Sequence, residues 1–172
     1  FAKLLRGFDV KILAYDKYKK AYLKDGVLSP SPRGLGEDIS GNSIVKESTP
    51  EEIFSEADII SLHLPLTDET KYLVNDSFLG KFKKNIYLIN TSRGPIVKTD
   101  DLVANLRTGK VLGACLDVLE YEESSFEAMS PVRGNRAEQR RLGAELEGGG
   151  AFDYLKSSSK VVLTPHIAGW SF

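Results

Sequence analysis

Asn85-Ile86-Tyr87-Leu88-Ile89-Asn90-Thr91-Ser92-Arg93-Gly94 is the stretch on which the fold turns. From Ile86 to Ile89 it is continuously apolar and partly β-branched, the pattern of a strand covered on both faces. It then changes abruptly to small polar residues and one cation, the composition of a turn at a strand's carboxyl end. Other runs share this form. Val10-Lys11-Ile12-Leu13-Ala14-Tyr15 ends at Asp16, and Asp58-Ile59-Ile60-Ser61-Leu62-His63-Leu64 ends at Pro65. Gly113-Ala114-Cys115-Leu116-Asp117-Val118 and Lys160-Val161-Val162-Leu163-Thr164 follow, with a short strand near Ile44-Val45.

Helical patterns separate these runs. Thr49-Pro50-Glu51-Glu52 is a helix start, with Thr at the cap, Pro first inside it and Glu three beyond it. Asn75 or Asp76 caps a short helix through Phe78, Leu79 and Phe82. Thr99-Asp100-Asp101 opens another, with Leu102, Val103 and Leu106 on one face and Gly109 closing it in the left-handed conformation. Strand and helix in alternation predict an α/β fold, a doubly wound parallel sheet with helices on both faces. Two segments break the rhythm. Residues 21–44 are rich in Gly, Pro and Ser, and residues 130–150 carry Arg133, Arg136, Arg140, Arg141 and a terminal Gly148-Gly149-Gly150. Both read as long loops or insertions.

Composition narrows the class. The 172 residues suffice for one domain with a sizeable core, and the net charge of -1 gives no general attraction to nucleic acid or to anionic membrane. Cys115 is the single cysteine, so no disulfide forms within the chain, which fits a reducing, cytoplasmic compartment. No apolar run approaches the roughly 20 residues of a membrane span. Phe1-Ala2-Lys3-Leu4-Leu5-Arg6 reads as the middle of a helix and not as a signal peptide.

The chemistry-bearing residues stand at strand ends, where an open parallel sheet binds its ligands. Asp16 is placed to accept hydrogen bonds from a ribose and to repel a 2′-phosphate; a simple turn aspartate is the alternative. Arg93 is suited to grip a carboxylate bidentately, or is a surface arginine in a turn. Asp117 lies within an apolar run, where a carboxylate needs a partner. Glu120, Glu122 and Glu123 form an acidic cluster within which composition does not choose. His166 and His63, the only histidines, both follow strands, and a histidine with a carboxylate partner exchanges protons near neutral pH. No metal-ligand spacing is evident.

Taken together, Phe8 to Asp16, Asp58 to Thr67, Asn90 to Val97, Gly113 to Glu122 and Thr164 to Gly169 resemble, in order, the D-isomer-specific 2-hydroxyacid dehydrogenases, the family of phosphoglycerate, D-lactate, glycerate and formate dehydrogenases. The phosphoglycerate-dehydrogenase-like branch is the first choice. The resemblance implies a Rossmann-like domain that binds NAD and an enzyme that moves hydride between NAD and a small 2-hydroxy or 2-oxo acid. It implies Arg93, Glu122 and His166 as the catalytic residues: Arg93 on the substrate carboxylate, His166 as the proton donor in reduction and Glu122 as its partner. Asp117 would hold the nicotinamide carboxamide and Asp16 the ribose, while Leu64, Pro65, Thr91, Ser92 and Gly169 would line the cofactor with Arg93. A homodimer is expected. The family's first strand, GxGxxG turn and substrate domain are not in this sequence. Residues 1–172 therefore read as a partial dinucleotide-binding domain with insertions at 21–44 and 130–150, expected to be inactive taken alone. Two rival readings are an NAD-sensing module of the C-terminal-binding corepressor type and a non-functional chimera.

Overall fold

The computed structural model describes residues 1–17, 23–24, 27–28, 45–120 and 150–168. The chain divides into two compact units, Phe1–Ala57 and Asp58–Phe172.

In the first unit a 3-10 helix, Ala2–Phe8, ends at Asp9 in the left-handed conformation (φ 51°). Strand β1 (Ile12–Ala14) pairs in parallel with β4 (Val45–Glu47). Within 21–44, expected as a loop insertion, two short strands, β2 (Leu23–Lys24) and β3 (Val27–Leu28), pair antiparallel, and β3 pairs antiparallel with β4. Helix α1 (Pro50–Glu56) begins as the sequence predicts. Thr49 Oγ1 accepts from the Glu52 N–H at 3.3 Å, and the Glu52 carboxylate accepts from the Thr49 N–H at 3.0 Å. Glu52 also pairs with Lys46 at 2.8 Å, and Glu56 pairs with Lys11.

The second unit is a parallel sheet in the order β5 (Ile59–Leu62), β6 (Ile86–Asn90), β7 (Val111–Leu116), β8 (Val161–Leu163). Helices α2 (Asp76–Gly80), α3 (Thr99–Thr108) and α4 (Ala151–Ser157) lie between the strands in the chain. The strand order never reverses, so right-handed crossovers put these helices on one face. There α3 touches α2, α4 and β7. The core is built from Ile86, Leu88, Val111, Ala114 and Leu116 of the sheet against Leu79, Phe82, Leu102, Val103, Leu106 and Leu155. Among the described residues the two faces of this sheet differ in exposure. Ile59 and Val162 are more than half exposed and Tyr87 is 50% exposed, and all three belong to the other face. A continuous apolar run says that both faces are apolar, not that the described residues cover both.

Local signals account for the element ends. Asn75 is the residue that caps α2, its Oδ1 accepting from the Phe78 N–H at 3.0 Å. Gly109 closes α3 at φ 81°, as expected. Helix α4 was not expected. It has only seven residues and directly follows the Gly148-Gly149-Gly150 run. Residues 121–149, which include most of the expected 130–150 insertion, lie outside the described residues. Among the described residues no helix is long and apolar enough to cross a membrane.

Candidate active site

Loops leave the carboxyl ends of β6, β7 and β8 side by side, and buried polar side chains set the shape of two of them. Asn90, the last residue of β6, is fully buried. Its Nδ2 donates to the Arg93 carbonyl at 3.0 Å, and its Oδ1 accepts from the Ser92 N–H at 3.1 Å and the Ser92 hydroxyl at 2.9 Å. Thr91 and Arg93 are exposed, and the Arg93 guanidinium donates back to the Ser92 carbonyl at 2.6 Å. Gly94 then passes so close to the chain at Leu119 that a Cβ would lie 1.8 Å from the Leu119 carbonyl oxygen.

Asp117 follows β7 and is 4% exposed. The partner that a carboxylate in an apolar run needs is the loop after β8. Its Oδ1 accepts from the Thr164 hydroxyl at 2.5 Å and the Ile167 N–H at 2.9 Å, and its Oδ2 accepts from the Ala168 N–H at 2.8 Å. Its backbone carbonyl accepts from the His166 N–H at 2.9 Å, and its own N–H donates to the Asn90 carbonyl at 2.9 Å. Asp117 thus grips residues 164–168 and ties that loop to the one carrying Arg93. His166 stands in the middle of the gripped segment, exposed, with φ at 54°. Few non-glycine residues adopt that conformation, and it persists where neighbouring bonds over-determine it, as they do here.

Burial pushes the Asp117 carboxyl up, but the Thr164 hydroxyl and the Ala168 and Ile167 N–H groups outweigh it and hold the carboxyl below its usual range. A lowered folded value means that the stabilisation is complete above the ordinary carboxylate pKa and is lost as pH falls through the folded one. Asp117→Asn removes the charge and turns an amide N–H toward an N–H donor. It is expected to destabilise the protein by about 1.5–3 kcal/mol near neutral pH, in the range of hydrogen bonds to a buried charge. Urea unfolding at pH 7 and in acid checks this: the difference between wild type and variant should shrink as pH falls below the carboxylate range, and a constant difference would contradict the assignment.

Between the two loops lies a cavity of about 350 Å³, lined by Thr91, Cys115, Asp117, Val162, Thr164 and Ile167 among others. Its walls are mainly apolar with one carboxylate. That suits a flat ring bearing an amide, and its volume lies within the usual range of small-molecule sites.

The acidic cluster is partly resolved. Glu120 accepts from the Thr99 N–H at 2.8 Å, at the start of α3, and bonds the Tyr72 hydroxyl. It is engaged as a helix cap. Glu122 and Gly169 lie outside the described residues. Leu64 is half-buried and Pro65 exposed after β5, and the Pro65 carbonyl accepts from the Thr70 hydroxyl at 2.7 Å. His63 shares a 2.9 Å bond with the Ser61 hydroxyl, and burial lowers its pKa. Asp16 is exposed just beyond β1, in the other unit. Asn90 was not singled out from the sequence. The available signal was a polar residue closing an apolar strand immediately before a turn of small polar residues.

The family model described as D-isomer specific 2-hydroxyacid dehydrogenase, NAD binding domain, matches residues 1–168. The chain belongs to that family. Glyoxylate reductase of Thermofilum pendens is 40% identical over 167 residues, covering 97% of this chain and 38% of that protein. Aromatic 2-oxoacid reductase of Clostridium sporogenes is 34% identical over 137 residues, covering 77% of the chain and 38% of its own length. The crystal structure of D-lactate dehydrogenase from Aquifex aeolicus complexed with NAD and lactic acid superposes with a TM-score of 0.68 at 29% identity, covering 99% of this chain and 43% of that one. The fold is therefore the Rossmann-like NAD-binding domain of the D-2-hydroxyacid dehydrogenases, with β5–β8 one winding of its sheet. The chain spans 38% of the length of these two curated relatives. The corepressor reading gains no support from the family's matches.

Proposed function

We propose that this chain is the NAD-binding part of an oxidoreductase that interconverts a small D-2-hydroxy acid and the corresponding 2-oxo acid. One observation carries the reading: Asn90 and Asp117, joined backbone to backbone, hold the loops of Arg93 and His166 at one end of a parallel sheet beside an apolar cavity.

When bound, NADH would supply the hydride for reduction at C2 and NAD+ would accept it in oxidation. The chain's residues do the rest. Arg93 pairs with the substrate carboxylate and polarises the C2 carbonyl. His166 gives a proton to the C2 oxygen in reduction and takes it back in oxidation. Glu122 would be the carboxylate partner of His166. Asp117 would accept from the cofactor's amide with the one lone-pair site that the 164–168 loop does not use. Thr91, Ser92, Leu64, Pro65 and Gly169 would border the cofactor, and Asp16 would accept from its ribose hydroxyls. We further infer a homodimer in the cytoplasm, acting on small acids and not on nucleic acid or membrane.

The test is NADH oxidation by the purified full-length protein with glyoxylate, pyruvate, hydroxypyruvate and phenylpyruvate. Turnover is expected with at least one. A folded protein that binds NADH yet reduces none of them would overturn the reading. Cofactor choice gives a separate check. Asp16→Ala should weaken NAD binding about 10-fold or more while changing NADP little, since the carboxylate helps a ribose and repels a phosphate. Better use of NADP by the unmutated protein would contradict this.

A further inference from the structure

We propose that Asn90 is a positioning residue for Arg93, its buried side-chain amide fixing the backbone from which the guanidinium meets the substrate carboxylate. The proposal rests on the reading of Arg93 as the carboxylate-binding group.

A strand end facing a core is satisfied by valine or isoleucine, and a fully buried amide there is costly unless it is bonded. Among the described residues, every side-chain partner of Asn90 lies on the segment that ends in Arg93. Oδ1 accepts from both donors of Ser92, and Nδ2 donates to the Arg93 carbonyl. This pattern permits one orientation of the amide. Flipped, it would set N–H against the Ser92 N–H and carbonyl against the Arg93 carbonyl. The Arg93 carbonyl also accepts from the Ile96 N–H at 3.3 Å, so the peptide on the far side of Arg93 is held from two directions. The guanidinium itself bonds the Ser92 carbonyl, so a rotation of this turn would carry the side chain with it. Asn90 is also tied to the His166 loop, because its own carbonyl accepts from the Asp117 N–H. A shift of about 1 Å in such a group costs on the order of 10²-fold in rate.

Asn90→Asp in the full-length enzyme keeps the volume and the acceptor. It removes the donor and places a carboxylate oxygen against the Arg93 carbonyl. The measurements are kcat and KM for the 2-oxo acid, NADH affinity by fluorescence, and hydrogen exchange of the Ser92 amide, each in wild-type and Arg93→Gln backgrounds. In the wild-type background kcat/KM is expected to fall about 10–100-fold, mainly through KM, with Ser92 exchanging faster and NADH affinity within about threefold. In the Arg93→Gln background the same change should cost less than about threefold, because the group it positions is gone. Equal losses in both backgrounds would show a general effect on the fold and overturn the proposal. If Arg93→Gln alone leaves kcat/KM unchanged, the reading of Arg93 fails and takes the proposal with it, and that single variant identifies which failed. If Asn90→Asp does not fold, Ser92→Ala, which removes only the hydroxyl bond to Oδ1, carries the same cycle. A loss of about threefold confined to the Arg93 background is then expected, and an additive loss overturns the proposal.

Discussion

Replacing His166 by alanine in the full-length enzyme is expected to lower 2-oxo acid reduction by about 10²–10⁴-fold, the range for removal of a general acid. NADH binding should be unchanged. The bonds that shape residues 164–168 use the His166 and Asp117 backbones, the Asp117 carboxylate, the Thr164 hydroxyl and the Ile167 and Ala168 N–H groups. Deleting the imidazole removes none of these bonds. Alanine is a poor guest at φ 54°, whereas asparagine tolerates the left-handed region. His166→Asn should therefore fold at least as well and be equally inactive. Glu122→Gln should act differently. Glu122 is proposed as the partner of His166, and removing a partner's charge disfavours the charged form of the group it pairs with, here the proton donor of reduction. The optimum for reduction should move down. His166→Asn turnover within about tenfold of wild type would mean that the imidazole is not the acid.

How far the sequence reveals this arrangement depends on the range of the interaction that sets each part. The capping box at Thr49 and Glu52 and the closing turn at Gly109 are local, and the residues themselves dictate them. The strands of the parallel sheet are legible from their apolar runs, and family motifs then put Arg93 and His166 after β6 and β8. Exposure of Ile59, Tyr87 and Val162 is not legible, because coverage of a face depends on what else folds onto it. The interplay of the loops is hidden for the same reason. Asp117 reaches Thr164 across 47 positions and Ala168 across 51, and nothing in either segment names the other. Glu120 gives the sharpest case. In the sequence it is one of several equivalent acids, and only the approach of its loop to Thr99 makes it the cap of α3. That leaves Glu122 and Glu123 as the acids of the cluster to test against His166.

Gly94→Ala is expected to be among the most damaging single methyl groups that can be added to this domain. Gly94 is buried, and its new Cβ would meet the Leu119 carbonyl oxygen at 1.8 Å, its carbon at 2.1 Å and the Glu120 nitrogen at 2.8 Å. These are backbone atoms, so no side chain can rotate away. The two loops must separate by about an ångström or more, and overpacking of this kind destabilises by about 3 kcal/mol or more. The separation propagates in both directions. On one side it pulls on Arg93, whose carbonyl is pinned by Asn90 and Ile96. On the other it moves Glu120 away from the Thr99 N–H and shifts the start of the segment that leads to Glu122. Turnover should therefore fall about 10²-fold beyond what unfolding explains, when assayed at a temperature where the variant remains folded. Gly80→Ala is the control. Nothing lies within 4 Å of its Cβ, and it closes α2, so alanine should be neutral or stabilising by up to about 1 kcal/mol. Thermal and urea unfolding of both variants, with kcat/KM for the 2-oxo acid, decides the matter. A Gly94→Ala protein as stable and as active as the Gly80→Ala protein would mean that the approach of Gly94 to Leu119 does not hold the Arg93 loop.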